Sequence, residues 1–503
     1  MHHRLLAHLR SPAWAVLLTL LVSLMFRTPT VDDAFITYRY SANAALGHGL
    51  VYNVTGSPVL GTTSPLWAVI LIPFSLLSIP LAWAAVGLSF VSLATAGLYF
   101  AKTSFRSAPQ WAAAIPLLLL SFYPHTTLWS GLETCTYCAC LIGVFLSLER
   151  RSWTLAILLS AAATLLRPDG LITFGIILIS QFWETLKTRE KSEPRTFFGI
   201  FYSCLLFLAL LAPWLWYALR TYGSVLPFSI AAKQVVHPGS PLENLLFLSE
   251  ALLISPYDFL LFIFGVAGMA YLVRSEKLWQ PFAWLALYIL GLTFSGVQPI
   301  FYWYLTPVWV LCLTYGIRGI ACWARENRHV LELRQFPSRL KGVSGSMFLL
   351  FVSASCMWSM FRAKAPDVSQ ERDLTYLQIG SAFASQIKQG ETLYACETGT
   401  MGYEFLQANM IDSSGINSPG VYEIRKKVRD GFKDDPMRRA RPDQFSRWSF
   451  EVVEQFSPEW IVGPRGWCQL ALMEDDAEFQ KKYSRISLYR PDLVGGIAVY
   501  RRR

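Results

Sequence analysis

Long apolar runs alternate with short basic loops over the first two-thirds of the chain. A membrane-crossing helix takes about 20 apolar residues, with a floor near 17. Runs of that kind begin near Pro12, Leu81, Pro109, Leu132, Trp153, Gly170, Phe197, Tyr257, Leu278, Phe301 and Ser346. The pieces on either side of "RPDG" are short and form a tight hairpin. The pattern therefore predicts about 11 crossings. Beyond Phe361 the runs stop and the polarity becomes that of an ordinary soluble domain. The expected division is a transmembrane domain over 1–362, with a first external loop at 28–63, and a soluble domain over 363–503. The break falls in "RAKAP".

Within the tail, "TYLQIGSAFASQIKQ" has helical periodicity, whereas "TLYAC", "EWIVGP" and "GGIAVYRR" read as strands. The fold class is thus a multi-pass α-helical membrane protein with a C-terminal soluble α/β domain. The stretch "EIRKKVRDGFKDDPMRRARPDQF" reads as a solvated charged face.

Charge assigns sides to the loops. "MHHRLLAHLR", "AKTSFR", "ERR", "ETLKTREKSEPR", "VRSEK" and "RENRHVLELRQFPSRLK" are basic and belong in the cytoplasm by the positive-inside rule. The remaining loops and the tail then face the other side of a cell (cytoplasmic) membrane, periplasmic or extracellular. The segment "SPLWAVILIPFSLLSIP" breaks this parity. It is short and holds three prolines, so it is expected to enter the membrane and return, or to lie at the interface; an ordinary span is the alternative.

Composition agrees. The chain has 503 residues, 53% of them hydrophobic and only 16% charged, against about 25% charged in soluble domains. The net charge of +10 resides largely in the short loops, which accounts for it without a nucleic-acid partner. Nine cysteines are too few for a disulfide scaffold, and Cys135, Cys138 and Cys140 inside one apolar run read as buried thiols. Cys396 and Cys468 in the tail leave a disulfide open. The basic, then apolar N-terminus lacks a small-x-small cleavage site and reads as a retained first span.

The loops on the outer side collect the residues that stand out: Asp32, Asp33, Arg39, His48, Glu133, Arg167, Asp169, Arg220, Lys233 and Tyr302, followed by Trp303 and Tyr304. Ionisable residues beside apolar spans are costly and mark sites. Each also has a plain structural use. Glu133 or Asp169 can cap a helix, and Arg220 or Lys233 can reach lipid headgroups. Around the acidic doublet, "TVDDAFITYRYSANAALGHG" reads as a helix. Thr30 and Asp33 have capping-box spacing, and Gly47 and Gly49 stop it. Phe35, Tyr38, Ala42, Ala45 and Leu46 form an apolar stripe, with Asp32, Arg39 and Asn43 on another face. A helix of this polarity suits the membrane interface. An ionised carboxylate at its start can act as a general base.

Taken in order, "VDDAFITYRYSANAALGHGLVYN", "GTTSPLW", "SGLET", "RPDG", "RTYGSVLPFSIAAK", "FYWYLTP" and "CETGTMGYEFLQANMIDSSGINSP" resemble the GT-C integral-membrane glycosyltransferases. Among these, the relatives of the mycobacterial terminal arabinofuranosyltransferase are the nearest in look. The resemblance implies cell-envelope biogenesis: a sugar passes from a polyprenyl-phosphate donor to a glycan, lipid or protein acceptor, at an active site open to the outside of the bilayer. It also implies a catalytic aspartate in the first external loop, matched by Asp32 with Asp33 at the second position. On this reading Asp32 is the base and Asp33 a cap or orienting acid, with the two roles open to exchange. Attack opposite the phosphate inverts the anomeric centre. Arg39, Glu133, Arg167, Asp169, Arg220, Lys233, Tyr302 and Tyr304 are the candidates for holding substrate and donor phosphate. A monophosphate leaving group favours a metal-independent reaction, with Mg or Mn as the alternative. Two other functions share these features: a lipid-linked sugar transporter or flippase, and a non-catalytic envelope scaffold. Neither needs an acid at a helix start.

Overall fold

Helices form where the apolar runs are, but most are shorter than the runs imply. The structure, a computed structural model, describes residues 31–104, 131–187, 193–253, 256–298, 301–327, 368–493 and 495–503. The N-terminal part contains α1 (Asp32–Ala45), α2 (Pro65–Leu76), α3 (Leu81–Ser104), α4 (Thr134–Glu149), α5 (Trp153–Leu166) and α6 (Leu171–Lys187). These are followed by α7 (Glu193–Tyr222), α8 (Phe228–Val236), α9 (Pro241–Leu253), α10 (Pro256–Ser275) and α11 (Gln280–Thr293). Thr306–Leu311, the π-helical segment Cys312–Gly316 and Ile317–Glu326 then run on as one helix, α12.

Among the described residues, four helices are long and apolar enough to cross a membrane: Leu81–Ser104, Phe198–Tyr222, Asp258–Ser275 and Tyr302–Glu326. The expectation of about 11 crossings is corrected by this finding. The runs near Pro12, Pro109 and Ser346 lie outside the described residues, as do Thr30 and the domain break. Other runs fall short by length. α4, α5 and α11 have 16, 14 and 14 residues, roughly 21–24 Å at 1.5 Å per residue against about 30 Å of hydrocarbon. Their apolar character has another source. Val144, Phe145 and Ile157 are buried against protein, and a count of apolar residues does not separate that from lipid. α2 has only 12 residues; the chain reverses through Leu77–Pro80 into α3, so this segment is too short to be a full span.

The bundle has two chemically different ends. At one, Arg318 pairs with Glu149 at 2.7 Å and Glu276 at 2.6 Å, near Lys102, Arg150 and Arg325, which close α3, α4 and α12. α10 and α12 cross closely because Gly265 and Gly268 face Gly316 and Gly319; a Cβ at Gly319 would strike the Gly268 carbonyl. At the opposite end, where α4 and α12 begin, sit Glu133, Tyr304 and α1.

The C-terminal part begins with α13 (Val368–Phe383) and carries β1 (Thr392–Ala395), α14 (Gly399–Glu404), β2 (Asn409–Asp412), α15 (Pro419–Gly431), α16 (Trp448–Phe456), β3 (Trp460–Pro464), β4 (Tyr483–Tyr489) and β5 (Ile497–Arg502). The sheet order is β2-β1-β3-β5-β4. β2, β1 and β3 are parallel, and β5 and β4 are antiparallel additions. The α/β tail and three of its strands follow the sequence pattern. β2 and β4 were not anticipated. The charged stretch is only partly solvated, since Arg425 is buried under Trp448 at 3.9 Å from its ring centroid.

α1 joins the two parts. It ends as expected, with Gly47 and Gly49 at φ of +87° and +80°. It is not an interface helix with one wet face, however. Phe35, Tyr38 and Ala42 pack on the bundle, and Asp32, Arg39 and Asn43 on the other face are buried as well, because α14 lies against it. Asp32 accepts the N–H groups of Gly399 at 3.0 Å and Thr400 at 2.7 Å, at the start of α14. Seven residues on, Arg39 donates to the carbonyls of Phe405 at 2.9 Å, Ala408 at 2.7 Å and Gly402, around the end of α14. Close approach needs glycine: a Cβ on Gly399 would run into the Asp32 carbonyl. Asn53 pairs with both the N–H and the C=O of Met410, each at 2.9 Å, so its side chain extends the edge of β2.

Replacing Arg39 with Met leaves the carbonyls of Gly402 and Ala408 buried without their side-chain donor, while Phe405 keeps the Ala408 N–H at 3.0 Å. We expect this to cost about 2–4 kcal/mol. Limited proteolysis of the full chain is expected to cut near 405–410 before any other site, with a lower unfolding midpoint; an unchanged cleavage pattern would contradict the clamp.

Candidate functional site

The acidic doublet divides at the helix start. Asp32 points into the α14 contact and is 6% exposed. The Asp33 side chain is 38% exposed and turns the other way, with its Oδ2 4.0 Å from Lys233 Nζ. Among the described residues the Asp33 carboxylate makes no hydrogen bond. Burial pushes the Asp32 carboxyl above the usual range, against the lowering effect of the Thr400 N–H.

Asp33 lines a cleft of 340 Å³ together with Thr37, Ser64, Glu133, Arg167, Asp169, Ser229, Lys233, Tyr288, Trp303 and Tyr304. The "RPDG" turn builds one wall. Arg167 precedes proline and is extended, at φ −151° and ψ 136°, and Pro168–Gly170 then form a 3-10 turn. A side chain at Gly170 would collide with the Ala163 backbone, so the turn requires glycine. Arg167 is thereby set inward, where Nε meets Asp169 at 3.1 Å and Nη1 meets Glu133 at 3.6 Å. Nη2 reaches the Tyr288 hydroxyl at 3.4 Å, and the guanidinium lies 4.8 Å from the Tyr304 ring centroid. Tyr288 donates in turn to the Tyr304 carbonyl at 2.7 Å. Burial raises the Glu133 carboxyl while Arg167 opposes it. α8 also lines the cleft, with Lys233 in its last turn. On the same wall the buried Ser229 hydroxyl has no partner among the described residues. A buried hydroxyl without a partner is costly, and a ligand oxygen in the cleft would satisfy it.

A second cavity, of 210 Å³, shares Asp33, Ile36, Lys233 and Ile416 with the first. Part of its wall comes from the ends of the parallel strands: Cys396, Glu397 and Thr398 after β1, and Asp412 at the end of β2 with Ser414 beyond it. Open α/β sheets bind ligands at this carboxyl edge. His237 and Phe301 complete it. Burial and nearby Arg425 and Lys233 hold His237 down at about 4, so it is neutral at physiological pH, and its ring nitrogens make no hydrogen bond among the described residues. Behind Glu397, Arg372 bridges it at 2.9 Å to Asp373, also at 2.9 Å, and Tyr376 donates to Glu397 at 2.7 Å. Burial lifts Glu397 well above the carboxylate range and Asp373 to about 7, in spite of Arg372.

Of the residues singled out in the sequence, Asp33, Glu133, Arg167, Asp169, Lys233 and Tyr304 converge on the first cleft. Asp32 lines only the second cavity. Arg39 lines neither and holds backbone carbonyls. Arg220 and His48 are exposed away from both, and Tyr302 packs on Phe247 at 5.9 Å. Glu397, Asp412 and His237 were missed. The available signal was Glu397 directly after the apolar strand "TLYAC", at the edge where such domains hold ligands. Among the described residues no group of three or more His, Cys, Asp or Glu is arranged to hold a metal. No known family and no curated protein matches the chain by sequence.

Asp373 yields a pH prediction. Its folded value of about 7 lies above the ordinary 3.8, so the folded protein keeps a proton that the unfolded chain releases. Its contribution to stability is full below about pH 4 and fades as pH rises through about 7. The unfolding midpoint of the full chain is expected to fall over that window, and to fall less steeply in Asp373→Asn.

Proposed function

We propose that the protein is a membrane glycosyltransferase that moves a sugar from a polyprenyl-phosphate donor to an acceptor hydroxyl outside the cell membrane, and that Asp33, not Asp32, is its general base. One observation carries the assignment. Asp33 is the member of the doublet that opens on the cleft, beside a lysine, while both Asp32 oxygens are taken by backbone N–H groups. A base must be free to reach the proton that it removes.

The rest of the cleft fits a phosphate leaving group. Lys233 and Arg167 both line it. As the acceptor oxygen bonds to the anomeric carbon, the bond to the phosphate oxygen breaks and its electron pair leaves with the lipid phosphate. Asp33 takes the hydroxyl proton. Lys233 and Arg167 stabilise the charge that grows on the phosphate, and Glu133 and Asp169 keep Arg167 aimed. Back-side attack inverts the anomeric configuration. The four long apolar helices support a membrane setting. The basic residues at the Arg318 end support an orientation with the cleft outside.

Purified protein supplied with polyprenyl-phosphate sugars tests this. Asp33→Asn is expected to lower kcat by about 100-fold or more with an unchanged unfolding midpoint. Asp32→Asn is expected to lower the midpoint first, because it weakens the hold on Gly399 and Thr400. Full turnover in Asp33→Asn would refute the base assignment. Activity is expected to survive chelation, and its recovery only with Mg or Mn would overturn the metal-independent scheme.

A further inference from the structure

We propose that Cys396 and Cys468 are a redox-active thiol pair that closes to a disulfide, pinning the turn at 464–471 to the strand end that carries Glu397. The proposal stands apart from sugar transfer. It takes from that reading only the placement of the tail outside the membrane, where oxidising disulfides are at hand. Three observations lead there. First, the fold brings the two cysteines together from distant parts of the tail. Cys396 follows β1, Cys468 lies in the turn after β3, and both pack into one hydrophobic cluster with Tyr394, Ile461 and Leu470. The other cysteines among the described residues lie in the bundle helices α4, α7 and α12. The Cys396 thiol meets that of Cys468 directly: burial first, then the facing thiol, push it well above its ordinary range. β3 makes room for this contact. Gly463 stands beside Cys396, and a Cβ there would strike the Cys396 Sγ.

Second, the turn that carries Cys468 is strained. Cys468 and Gln469 both have left-handed backbone, with φ of +50° and +60°, which is costly for residues with a side chain. The surroundings impose it. Trp467 N donates to the Pro464 carbonyl at 3.0 Å, Leu470 N to Trp467 at 3.1 Å and Ala471 N to Arg465 at 2.9 Å. Gln469 Nε2 is anchored on the carbonyls of Asp443 at 2.9 Å and Ser446 at 2.5 Å. Cys468 is thereby held against Cys396 while it stays half-buried.

Third, the pair closes a ring of contacts. Glu397, next to Cys396, pairs with Arg372 at 2.9 Å. The Arg372 guanidinium lies 5.2 Å from the ring centroid of Trp467, next to Cys468. A sulfur–sulfur bond completes a covalent path around that ring and fixes Arg372 between Glu397 and Trp467. The reaction is thiol–disulfide exchange. Cys468 is the reachable thiol; its thiolate attacks a small-molecule or protein disulfide, and one sulfur of that disulfide leaves as thiolate. Cys396 then loses its proton to water and attacks the Cys468 sulfur, releasing the second thiolate. The cysteine pair is oxidised, and the incoming disulfide is reduced to thiols.

The experiment uses the full-length protein in detergent, treated with glutathione disulfide or with dithiothreitol. Free thiols are then alkylated in denaturant, and digests are mapped by mass spectrometry. Glutathione disulfide is expected to remove the Cys396 and Cys468 thiols together and to yield the peptide linked through them. The unfolding midpoint of the oxidised protein is expected to lie about 5–10 °C above that of the reduced one, because the bond closes a loop of roughly 70 residues. In Cys468→Ser the two treatments are expected to give one midpoint. Retention of both thiols after oxidation, a lasting glutathione adduct on Cys468, or linkage of either cysteine to a different partner would overturn the pair. Equal midpoints for oxidised and reduced wild type would overturn the pinning of the turn. The mapping is made on wild type, so it decides the matter even where Cys468→Ser does not fold.

Discussion

Two charges on one face of α1 grip a single short helix by its opposite ends. Asp32 holds the N–H groups that start α14, and Arg39 holds the carbonyls that finish it. Each charge meets the helix end of opposite polarity. The spacing is geometric, since seven residues are about two turns, close to the length of a six-residue helix. Because α1 also packs Phe35 and Tyr38 into the bundle, this grip sets the C-terminal domain against the membrane part. Both cavities depend on it. Asp33 faces its cleft because Asp32 is held, and the strand ends reach Asp33 because α14 is docked.

Much of this was written in the sequence, in particular places. The α1 helix with its glycine stop, the "RPDG" turn and the strands β1, β3 and β5 of the tail are local patterns, so local reasoning finds them. The cleft residues were found because ionisable groups next to apolar runs are costly enough to be conspicuous. Span counting failed where α4, α5 and α11 are apolar for burial in protein. The roles of Asp32 and Arg39 were not legible, because they are fixed by partners more than 360 residues away. A helix wheel places both on a polar face, yet it does not say that another domain covers that face. Glu397 and His237 were hidden for the same reason. Each belongs to a cavity that exists only where two distant segments meet.

The division of labour within "VDD" illustrates a general point about acidic doublets. Neighbouring residues on a helix point about 100° apart, so two adjacent acids seldom share one environment. Here one carboxylate is enclosed and holds two backbone N–H groups, and the other is half-exposed beside a lysine. On the proposed reading the chemistry falls to the second, and the architecture to the first.

The grip also has a consequence for biosynthesis. Asp32 and Arg39 leave the ribosome hundreds of residues before Gly399 to Ala408, and at typical elongation rates that is an interval of tens of seconds. During it the acid and the base are solvated, the α1 face is bare, and neither cavity has its second wall. The segment that closes the two parts is therefore made long after the helix that grips it. Premature termination before Gly399 would leave a protein with a charged, uncovered docking face, a state distinguishable from the finished one by quality-control proteases and chaperones.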